Sequence, residues 1–517
     1  MIKKNSTRVM VNTGAQYVRT VVNIILSLYS TRLILNTLGI EDYGLFTLVA
    51  GVVSMLSFMT NAMVTTTQRF LSYHQAKSSI EELRDVFSNS VLMHVMFAVV
   101  ILIILEIAGL FLFDGFLNIE ADRKGAAEIV YQCAVMMILT SFITAPFKAL
   151  IISHENIVYI SVIDILDGVL KVLVAIFLTY ISYDKLIFYG FLMYSIYIIN
   201  LLAFSIYDFR KYSECVMPRI RTLNYGVMKK MSSFVGWQLY SSGCIIGRTQ
   251  GTAVILNKLF GTTINAAFGI ALQISGSINF ISNSLILAIN PQIVKAEGAG
   301  DREKMFRLSE IASKFSFLLL SVLVIPLCII MPDILKLWLG SNIPENTVLF
   351  CRVILITALI DQITFGLGSA NQAIGNIKEY ALLINSLKII TLIPLYLLLI
   401  SGVQIGLAIW TYPLFELLCA LGRLIFLHRS GGLVIKTFVR NVFYKVPVPF
   451  FFLLVCYGIC SYSEMPLLGV IGLGVIFSFL YLVIIYRFSL NNYEKDIMSG
   501  ILTPVIRKIK YKNASKL

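Results

Sequence analysis

Polar side chains recur at helical spacing inside the first long apolar stretch of the chain. Gln16, Arg19, Asn23, Ser27 and Ser30 follow one another at steps of three or four residues, which puts them on one face of a helix. Because a charged side chain facing hydrocarbon costs about 2.5–3.5 kcal/mol, Arg19 should face a partner or a water-filled cavity. The pattern predicts a polar helix face that can contact a polar ligand.

A matching stripe lies in the second half of the chain, at Gln238, Ser241, Arg248 and Thr252. Close packing of helices through small polar residues explains the serines equally well, and that alternative stays open for them. For two arginines this deep in apolar stretches we favour a cavity. We therefore predict a ligand-binding set that consists of Arg19, Arg248, Gln16, Asn23, Gln238, Lys388 and Arg423.

Acidic side chains also lie inside apolar stretches. Asp164, Asp167 and Lys171 stand at i, i+3 and i+7, again on one helix face. Asp167 and Lys171 can neutralise each other at i, i+4, whereas Asp164 still needs a partner or a proton. A carboxylate in such a place can carry a proton, which is how ion coupling usually arises. We predict an ion- or proton-coupling set that consists of Asp164, Asp167, Lys171, Asp361 and Glu416.

The charges inside the apolar stretches are predominantly cationic. Seven cations accompany five anions there, and beside the residues above they include Arg32, Arg352 and Glu106. Arg32 lies closer to the membrane surface and can extend its charged group towards it, while the sequence gives Glu106 and Arg352 no partner. An excess of cations suits an anionic ligand such as a phosphate.

The composition indicates what surrounds these side chains. Of the 517 residues, 58% are hydrophobic and 14% are charged, whereas soluble domains average about 45–50% and about 25%. The sequence therefore predicts an integral membrane protein. Its net charge of +14 is explained by basic cytoplasmic loops, so we predict no nucleic-acid partner.

Motifs for catalysis or metal binding are missing from the sequence. The eight cysteines form no CxxC, and the four histidines form no HExxH, so we expect buried thiols and no metal site. No GxxxxGK[ST] occurs, which argues against a built-in ATPase. We predict that the protein is not an enzyme and needs no cofactor.

Runs of about 20 apolar residues are long enough to cross a bilayer as helices. Fourteen are predicted, near 10–37, 43–63, 86–113, 127–152, 157–182, 186–207, 231–257, 263–289, 310–331, 347–370, 379–400, 403–427, 443–462 and 466–486. With a cytoplasmic N-terminus, most of the 42 Lys and Arg residues fall in inner segments, and the outer loops hold only Arg123, Lys124, Lys185, Lys258 and Lys336. This bias follows the positive-inside rule. We predict an all-α fold with fourteen transmembrane helices, cytoplasmic termini and no cleaved signal peptide.

Three short landmarks recur at a nearly constant distance along the chain. In order, Asn36 of "LILN" corresponds to Asn257 of "VILN", Gln68 to Gln292, and Asn156 to Asn376. One such match between two segments could arise by chance in an apolar chain, but three matches in the same order are hard to explain by chance. The pattern indicates an internal duplication of six spans.

The duplication predicts two six-helix lobes. We place the lobes at 1–207 and 231–428, a basic cytoplasmic linker at 208–230, helices 13 and 14 at 429–487, and a basic cytoplasmic tail at 488–517. Since six is an even number, both lobes enter the membrane in the same direction, as parallel repeats do. Two facing lobes would enclose a central cavity, which we expect Arg19 and Arg248 to share, and their rocking would give alternating access.

Three segments resemble a known family. "LNTLGIEDYGLFTLV" after the first span, "APFKALIISHENIVYISVIDILDGVLKVLVAI" and "GDREKMFRL" are similar to segments of bacterial polysaccharide flippases of the multidrug/oligosaccharidyl-lipid/polysaccharide exporter superfamily. The resemblance covers nearly the whole chain and implies the MATE-like architecture of this superfamily, with twelve spans plus two. The family offers no invariant catalytic motif, so the site residues rest on the polar stripes.

The resemblance also implies a function. It suggests a transporter in the bacterial inner membrane that flips an undecaprenyl-pyrophosphate-linked oligosaccharide, an O-antigen or capsule unit, with H⁺ or Na⁺ as the coupling ion. Its partners would be the lipid-linked substrate, membrane lipids, and the polymerase and chain-length proteins of lipopolysaccharide synthesis. A peptidoglycan-precursor flippase and a drug/cation antiporter of the same superfamily remain as alternatives. An integral membrane polymerase is disfavoured, since every outer loop is short.

Overall fold

The computed structural model describes residues 2–39, 41–46, 50, 56–113, 122–218, 224–339, 343–462, 467–491 and 494–495. Every regular element in these ranges is a helix, which confirms the predicted all-α class. Parts of the predicted second span and of the basic linker, and the predicted tail beyond residue 495, lie outside the described residues.

Within the described residues, the first half of the chain contains six long helices, besides a short helical stretch at 41–46. They are α1 Ile2–Leu38, α2 Ser57–Gln75, α3 Ile80–Phe111, α4 Lys124–Ser153, α5 Ile157–Phe177 and α6 Lys185–Lys211. Polar side chains begin two of them: Ser79 accepts a hydrogen bond from the backbone N–H of Glu82, and Asp184 accepts from the first N–H groups of α6. Such caps satisfy N–H groups that have no partner within the helix.

Eleven further α-helices follow in the described ranges. They are α7 Tyr225–Phe260, α8 Thr262–Gly298, α9 Arg302–Ile329, α10 Met331–Leu339, α11 Thr347–Ile363, α12 Phe365–Ile374, α13 Ile377–Ile400, α14 Ile405–Gly431, α15 Ile435–Asn441, α16 Pro447–Tyr462 and α17 Leu467–Ile484. Helix α13 contains a π-helical turn at Ala381–Asn385. Internal prolines include Pro146 in α4, Pro291 in α8 and Pro326 in α9.

Nine helices in the described ranges are long and apolar enough to cross a membrane, and eleven spans result if each of two bent helix pairs counts as one. The bent pairs are Thr263–Phe280 with Ser282–Gly298 and α11 with α12. Helix α5 is long and apolar enough, but it holds three charged residues, Asp164, Asp167 and Lys171, and is not among the nine. The protein is a multi-pass membrane protein, and the count of fourteen spans stays a prediction.

The residues divide into two compact units. The first comprises Val11–Leu239, and the second comprises residues 1–10 together with everything from Tyr240 onward. The division falls inside helix α7, so this helix contributes to both units. The predicted lobe and linker boundaries remain a prediction.

Helix α4 lies at the centre of the first unit, where it packs against α2, α3 and α6. It is buried on most sides, and small residues around its circumference, such as Ala127, Ala134 and Ala149, let neighbouring helices approach it. In the second unit α9 has the corresponding role and packs against α8, α11, α12 and α16.

The repeated landmarks share backbone conformation as well as residue identity. Gly39 and Gly261, which follow the two "LN" segments, both have positive φ, at 84° and 81°. Glu155 and Gly375 immediately precede the Asn156 and Asn376 landmarks and also have positive φ, at 59° and 96°. Positive φ is costly for most L-residues, so finding it at matching positions adds support to the duplication.

The last helices are tied to the second unit by a buried ion pair. The Nζ of Lys314 in α9 lies 2.6 Å from Oε2 of Glu494 and donates to the backbone oxygen of Ser489 at 3.1 Å. The Lys314 side chain is 1% exposed and that of Glu494 is 6% exposed. The segment after α17 is therefore anchored on α9 by a desolvated charge pair.

Candidate functional site

The first unit contains a charge cluster built on four helices. The guanidinium of Arg19 in α1 forms an ion pair with Asp164 in α5. Lys148 in α4 approaches the other carboxylate oxygen of Asp164 at 3.7 Å. Asp164, which the sequence left in need of a partner or a proton, therefore has two cationic partners.

The second part of this cluster lies one helical turn further along α5. Lys171 forms an ion pair with Asp167 at 2.7 Å, as the i, i+4 spacing predicts. The side-chain amide of Asn200 in α6 donates to the other oxygen of Asp167, also at 2.7 Å. The side chains of Lys148 and Lys171 remain about one third exposed, at 34% and 36%, so both cations stay accessible to a ligand.

A cavity of about 310 Å³ adjoins this cluster within the first unit. Asp167 and Lys171 line it together with Asn23, Ser27 and Ser30 of the predicted polar stripe. Helices α1 and α5 approach closely beside it, because a Cβ atom on Gly168 would lie 2.8 Å from the Asn23 amide oxygen. Three stripe residues thus line one polar cavity.

The second unit contains a more enclosed cluster around Glu416 of α14. Arg248 of α7 and Lys388 of α13 each lie 3.1 Å from one of its carboxylate oxygens, and Arg423 lies at 3.4 Å. Asp361 of α11 contacts Arg423 at 2.6 Å and Lys388 at 3.4 Å. The structure therefore joins five predicted site residues, taken from four helices, in a single ionic network.

Tyr412 supports Arg248 in this network. Its ring lies 4.9 Å from the centre of the guanidinium, a cation–π distance. Its hydroxyl shares a hydrogen bond with Thr252 at 2.7 Å and donates to the backbone oxygen of Arg248 at 3.3 Å. The side chains of Arg248, Lys388, Glu416 and Arg423 are all 10% exposed or less, so this cluster is fixed and largely closed.

The two clusters have the same charge balance. Each combines three cations with two carboxylates: Arg19, Lys148 and Lys171 with Asp164 and Asp167, and Arg248, Lys388 and Arg423 with Asp361 and Glu416. The charges of the first cluster lie on predicted spans 1, 4 and 5, and those of the second lie on predicted spans 7, 10, 11 and 12. Each cluster therefore has a formal net charge of +1.

Several predicted residues lie outside the clusters. Gln16 is buried, and neither of its amide atoms has a hydrogen-bond partner among the described residues. Gln238 is half-buried, whereas Arg32 is exposed. Arg352 donates to the backbone oxygen of Cys328 at 2.7 Å. Arg19 and Arg248 lie in different units, so their shared cavity stays a prediction.

Sequence reasoning missed Lys148, Asn200 and Tyr412. Two of them could have been found as polar side chains within predicted apolar spans. Lys148 lies near the end of α4, and Asn200 lies in the apolar part of α6. Tyr412 gave no such signal, because an aromatic residue in a membrane helix is ordinary. Its role depends on a contact with α7 across 164 positions.

These features define an all-helical membrane protein with the fold of the MATE transporters. A MATE structure in a bent conformation matches with a TM-score of 0.70 at 13% identity, over 84% of this chain and 97% of that one. The MATE transporter ClbM in complex with Rb⁺ matches with 0.70 at 15% identity, over 85% and 96%. A transporter of the MOP superfamily from Pyrococcus furiosus, described as having a binding pocket of reverse polarity, matches with 0.66 at 14% identity, over 83% and 96%.

Among curated proteins, the chain is similar to the uncharacterized membrane protein EpsK of Bacillus subtilis. The two are 20% identical over 333 residues, which is 64% of this chain and 65% of that protein, just under two thirds of its length. No family model matches the sequence.

Proposed function

We propose that the protein is a flippase that moves an undecaprenyl-pyrophosphate-linked oligosaccharide, an O-antigen or capsule unit, to the outer leaflet of the bacterial inner membrane. The observation that carries the proposal is the charge balance of the two clusters, each with three cations and two carboxylates. An uncompensated cation in an apolar surrounding attracts an anion. A pyrophosphate supplies the negative charge in a form that arginine and lysine bind well.

The first cluster is the better entry site for such a headgroup. Lys148 and Lys171 remain one third exposed, and Lys171 lines the polar cavity beside hydroxyl and amide groups that suit a sugar. The cations of the second cluster are already enclosed by Glu416 and Asp361. A phosphate could reach them only by replacing a carboxylate, which protonation of that carboxylate would favour.

This competition suggests a coupling mechanism. The phosphate and the Asp164 carboxylate would compete for Arg19 and Lys148, so the return of Asp164 to both cations would restore the ion pairs and help to expel the ligand. Alternating access of the two lobes would place these events on opposite sides of the membrane. The coupling ion in this proposal is H⁺, with Na⁺ as the alternative occupant of the carboxylates.

The MATE fold is equally compatible with a drug/cation antiporter. The reverse pocket polarity described for the Pyrococcus furiosus transporter illustrates that this fold accommodates pockets of different charge. The charge of the site must therefore distinguish a cationic from an anionic substrate. A surplus of cations disfavours a cationic drug. A peptidoglycan-precursor flippase would carry the same pyrophosphate, and only the sugar distinguishes it.

Deletion of the gene tests the proposal. We expect the surface polysaccharide to disappear and its lipid-linked unit to accumulate on the cytoplasmic face, as measured by glycan analysis and by mass spectrometry of extracted lipids. Unchanged surface glycan with increased drug sensitivity would establish the antiporter instead. Loss of viability with accumulated peptidoglycan precursor would establish a peptidoglycan-precursor flippase.

Substitution of Asp164 tests the coupling. Asp164→Asn keeps the size of the side chain but cannot take part in proton exchange, so we expect transport into proteoliposomes to fall about tenfold, within the usual range of coupling between sites. Asp333→Asn, at an exposed position of α10, is the matched control. Equal transport by both variants, with equal amounts of folded protein, would exclude Asp164 from the mechanism.

A further inference from the structure

A groove of about 1010 Å³ opens on the first unit between helices α3, α4 and α6. None of the residues that line it belongs to the charge clusters. Four of them, Lys124, Glu128, Gln132 and Met136, recur every fourth residue along α4, so a single face of this helix lines the groove from its first residue inward.

This face becomes steadily less polar with depth. Charged Lys124 and Glu128 lie in the first turns of the helix, and the uncharged amide of Gln132 follows. The thioether of Met136 lies deepest. From Lys124 to Met136 the helix rises about 18 Å at 1.5 Å per residue, which is close to one leaflet of a hydrocarbon core about 30 Å thick. The groove therefore has the length and the polarity gradient of one lipid molecule.

The surroundings of the groove are apolar and exposed. Ile103, Ile107 and Leu110 of α3 are between 51% and 74% exposed, as expected for a helix face in contact with lipid. In the middle of this surface the amide of Gln132 donates to the Glu106 carboxylate at 3.2 Å. Two polar groups on a lipid-facing surface need a polar neighbour.

Tyr131 forms the floor of the groove. Its hydroxyl donates to the backbone oxygen of Leu105 at 2.6 Å, and its ring packs edge to face against Phe113 at 5.6 Å. Gly109 permits this arrangement, because a Cβ atom there would lie 2.8 Å from the ring. The floor is thus rigid and apolar, which suits an acyl chain.

Two opposite charges, Lys124 and Glu128, stand at the shallow end of the groove. Neither Lys124 nor Glu128 forms an ion pair with any residue in the described ranges, although both are exposed and line the groove. Beside them lies Gly125 in the first turn of α4, where no atom of the described residues lies within 4 Å of an added Cβ. Lys124 and the positive end of the helix dipole at this turn favour a phosphate, and Glu128 favours an ammonium group.

We propose that this groove binds one zwitterionic phospholipid with a primary amine, in the leaflet that faces the start of α4. The phosphate lies against Lys124 and the first turn of α4, and the ammonium donates to Glu128. An acyl chain covers Tyr131 and reaches Met136. The proposal does not depend on the transported substrate.

Lipid selectivity tests the site. Thermal unfolding of the purified, delipidated full-length protein is followed during titration with phosphatidylethanolamine, phosphatidylcholine and phosphatidylglycerol that carry identical acyl chains. Because a ligand that binds the folded state raises its stability, we expect phosphatidylethanolamine to act at the lowest concentration. A choline group has no N–H to donate to Glu128, and a glycerol headgroup has no positive charge.

Two variants locate the selectivity in the groove. Glu128→Gln should weaken phosphatidylethanolamine binding about tenfold, since a hydrogen bond to a charged group is lost. Gly125→Phe, placed where there is open space, should block the headgroup without disturbing the fold. Lys185→Gln, at the start of α6 and outside the groove, is the control and should bind as the wild type does.

Equal responses to the three lipids would overturn the proposal. Unaltered selectivity in both Glu128→Gln and Gly125→Phe would do the same. A third outcome, no lipid response together with a concentration-dependent dimer that Gly125→Phe abolishes, would assign the groove to a second copy of the chain and not to a lipid.

Discussion

Glu416 has more ionic partners than any other carboxylate among the described residues. Arg248, Lys388 and Arg423 all lie within 3.4 Å of its oxygens, and its side chain is 1% exposed. In such a place the carboxylate offsets the desolvation of three cations, and its removal leaves them facing one another. Its contribution should therefore exceed that of an ordinary ion pair.

Glu416→Gln should destabilise the protein strongly. We expect a loss of about 3–5 kcal/mol, the usual result when one partner of a buried ion pair is removed. Thermal unfolding of the purified protein measures the effect. Glu379→Gln, at an exposed position of α13, should stay within about 0.5 kcal/mol of the wild type. If the two variants melt together, Glu416 is not the centre of the network.

Pairing within one helix could be read from the sequence, whereas pairing between helices could not. Asp167 and Lys171 stand four residues apart, and their ion pair follows from helix geometry. Arg19 meets Asp164 across 145 positions and Arg248 meets Glu416 across 168. The polar stripes identified these residues as candidates, but only the packing of the helices determines which of them meet.

At the scale of elements, the closest helix approach depends on a glycine. A Cβ atom on Gly366, at the start of α12, would lie 2.1 Å from the backbone oxygen of Ser309 in α9. The Gly366 N–H donates to the Ser313 hydroxyl at 3.0 Å. The break between α11 and α12, where the chain bends by 46°, lies directly before this contact.

Gly366→Ala should separate α9 from α12. We expect destabilisation of about 1–3 kcal/mol, because the backbone must move to admit the methyl group. Gly236→Ala in α7, which has no neighbour within 4 Å, should instead stabilise the helix by about 0.5–1 kcal/mol. Chemical or thermal unfolding of both variants gives the comparison. A gain in stability for Gly366→Ala would contradict the close approach.

The sequence predicted the helices better than their breaks. The predicted span 347–370 corresponds to α11 and α12 together, and nothing in its apolar pattern marks the bend at Thr364. The bend accompanies the packing of Gly366 on Ser309, a contact across 57 positions that no local pattern encodes. Likewise the π-helical turn in α13 interrupts a run that reads as one uniform helix.

At the scale of the whole molecule, the predicted orientation can be tested with single cysteines. Tyr183 and Tyr225 are 78% and 80% exposed, and the prediction places Tyr183 outside and Tyr225 in the cytoplasm. A membrane-impermeant maleimide applied to intact spheroplasts should label Tyr183→Cys and leave Tyr225→Cys unlabelled until the cells are lysed. The reverse result would invert the topology.

The native Cys215 should not interfere with this labelling. Burial, with a further contribution from Asp208 and Glu214, raises the pKa of its thiol well above the ordinary value. The thiol therefore stays protonated at the neutral pH of the labelling reaction, and a protonated thiol reacts slowly with maleimide. Wild-type protein labelled under the same conditions provides the baseline.

The ion pair between Glu494 and Lys314 restricts how the coding sequence can be shortened at its 3′ end. A nonsense mutation shortly before codon 494 would spare helices α1 to α17, yet it would leave the buried ammonium of Lys314 without the Glu494 counter-charge. Such a loss is tolerable only if Lys314 is also replaced, for example by methionine. Descendants of this gene should therefore lose their 3′ end and this lysine codon together.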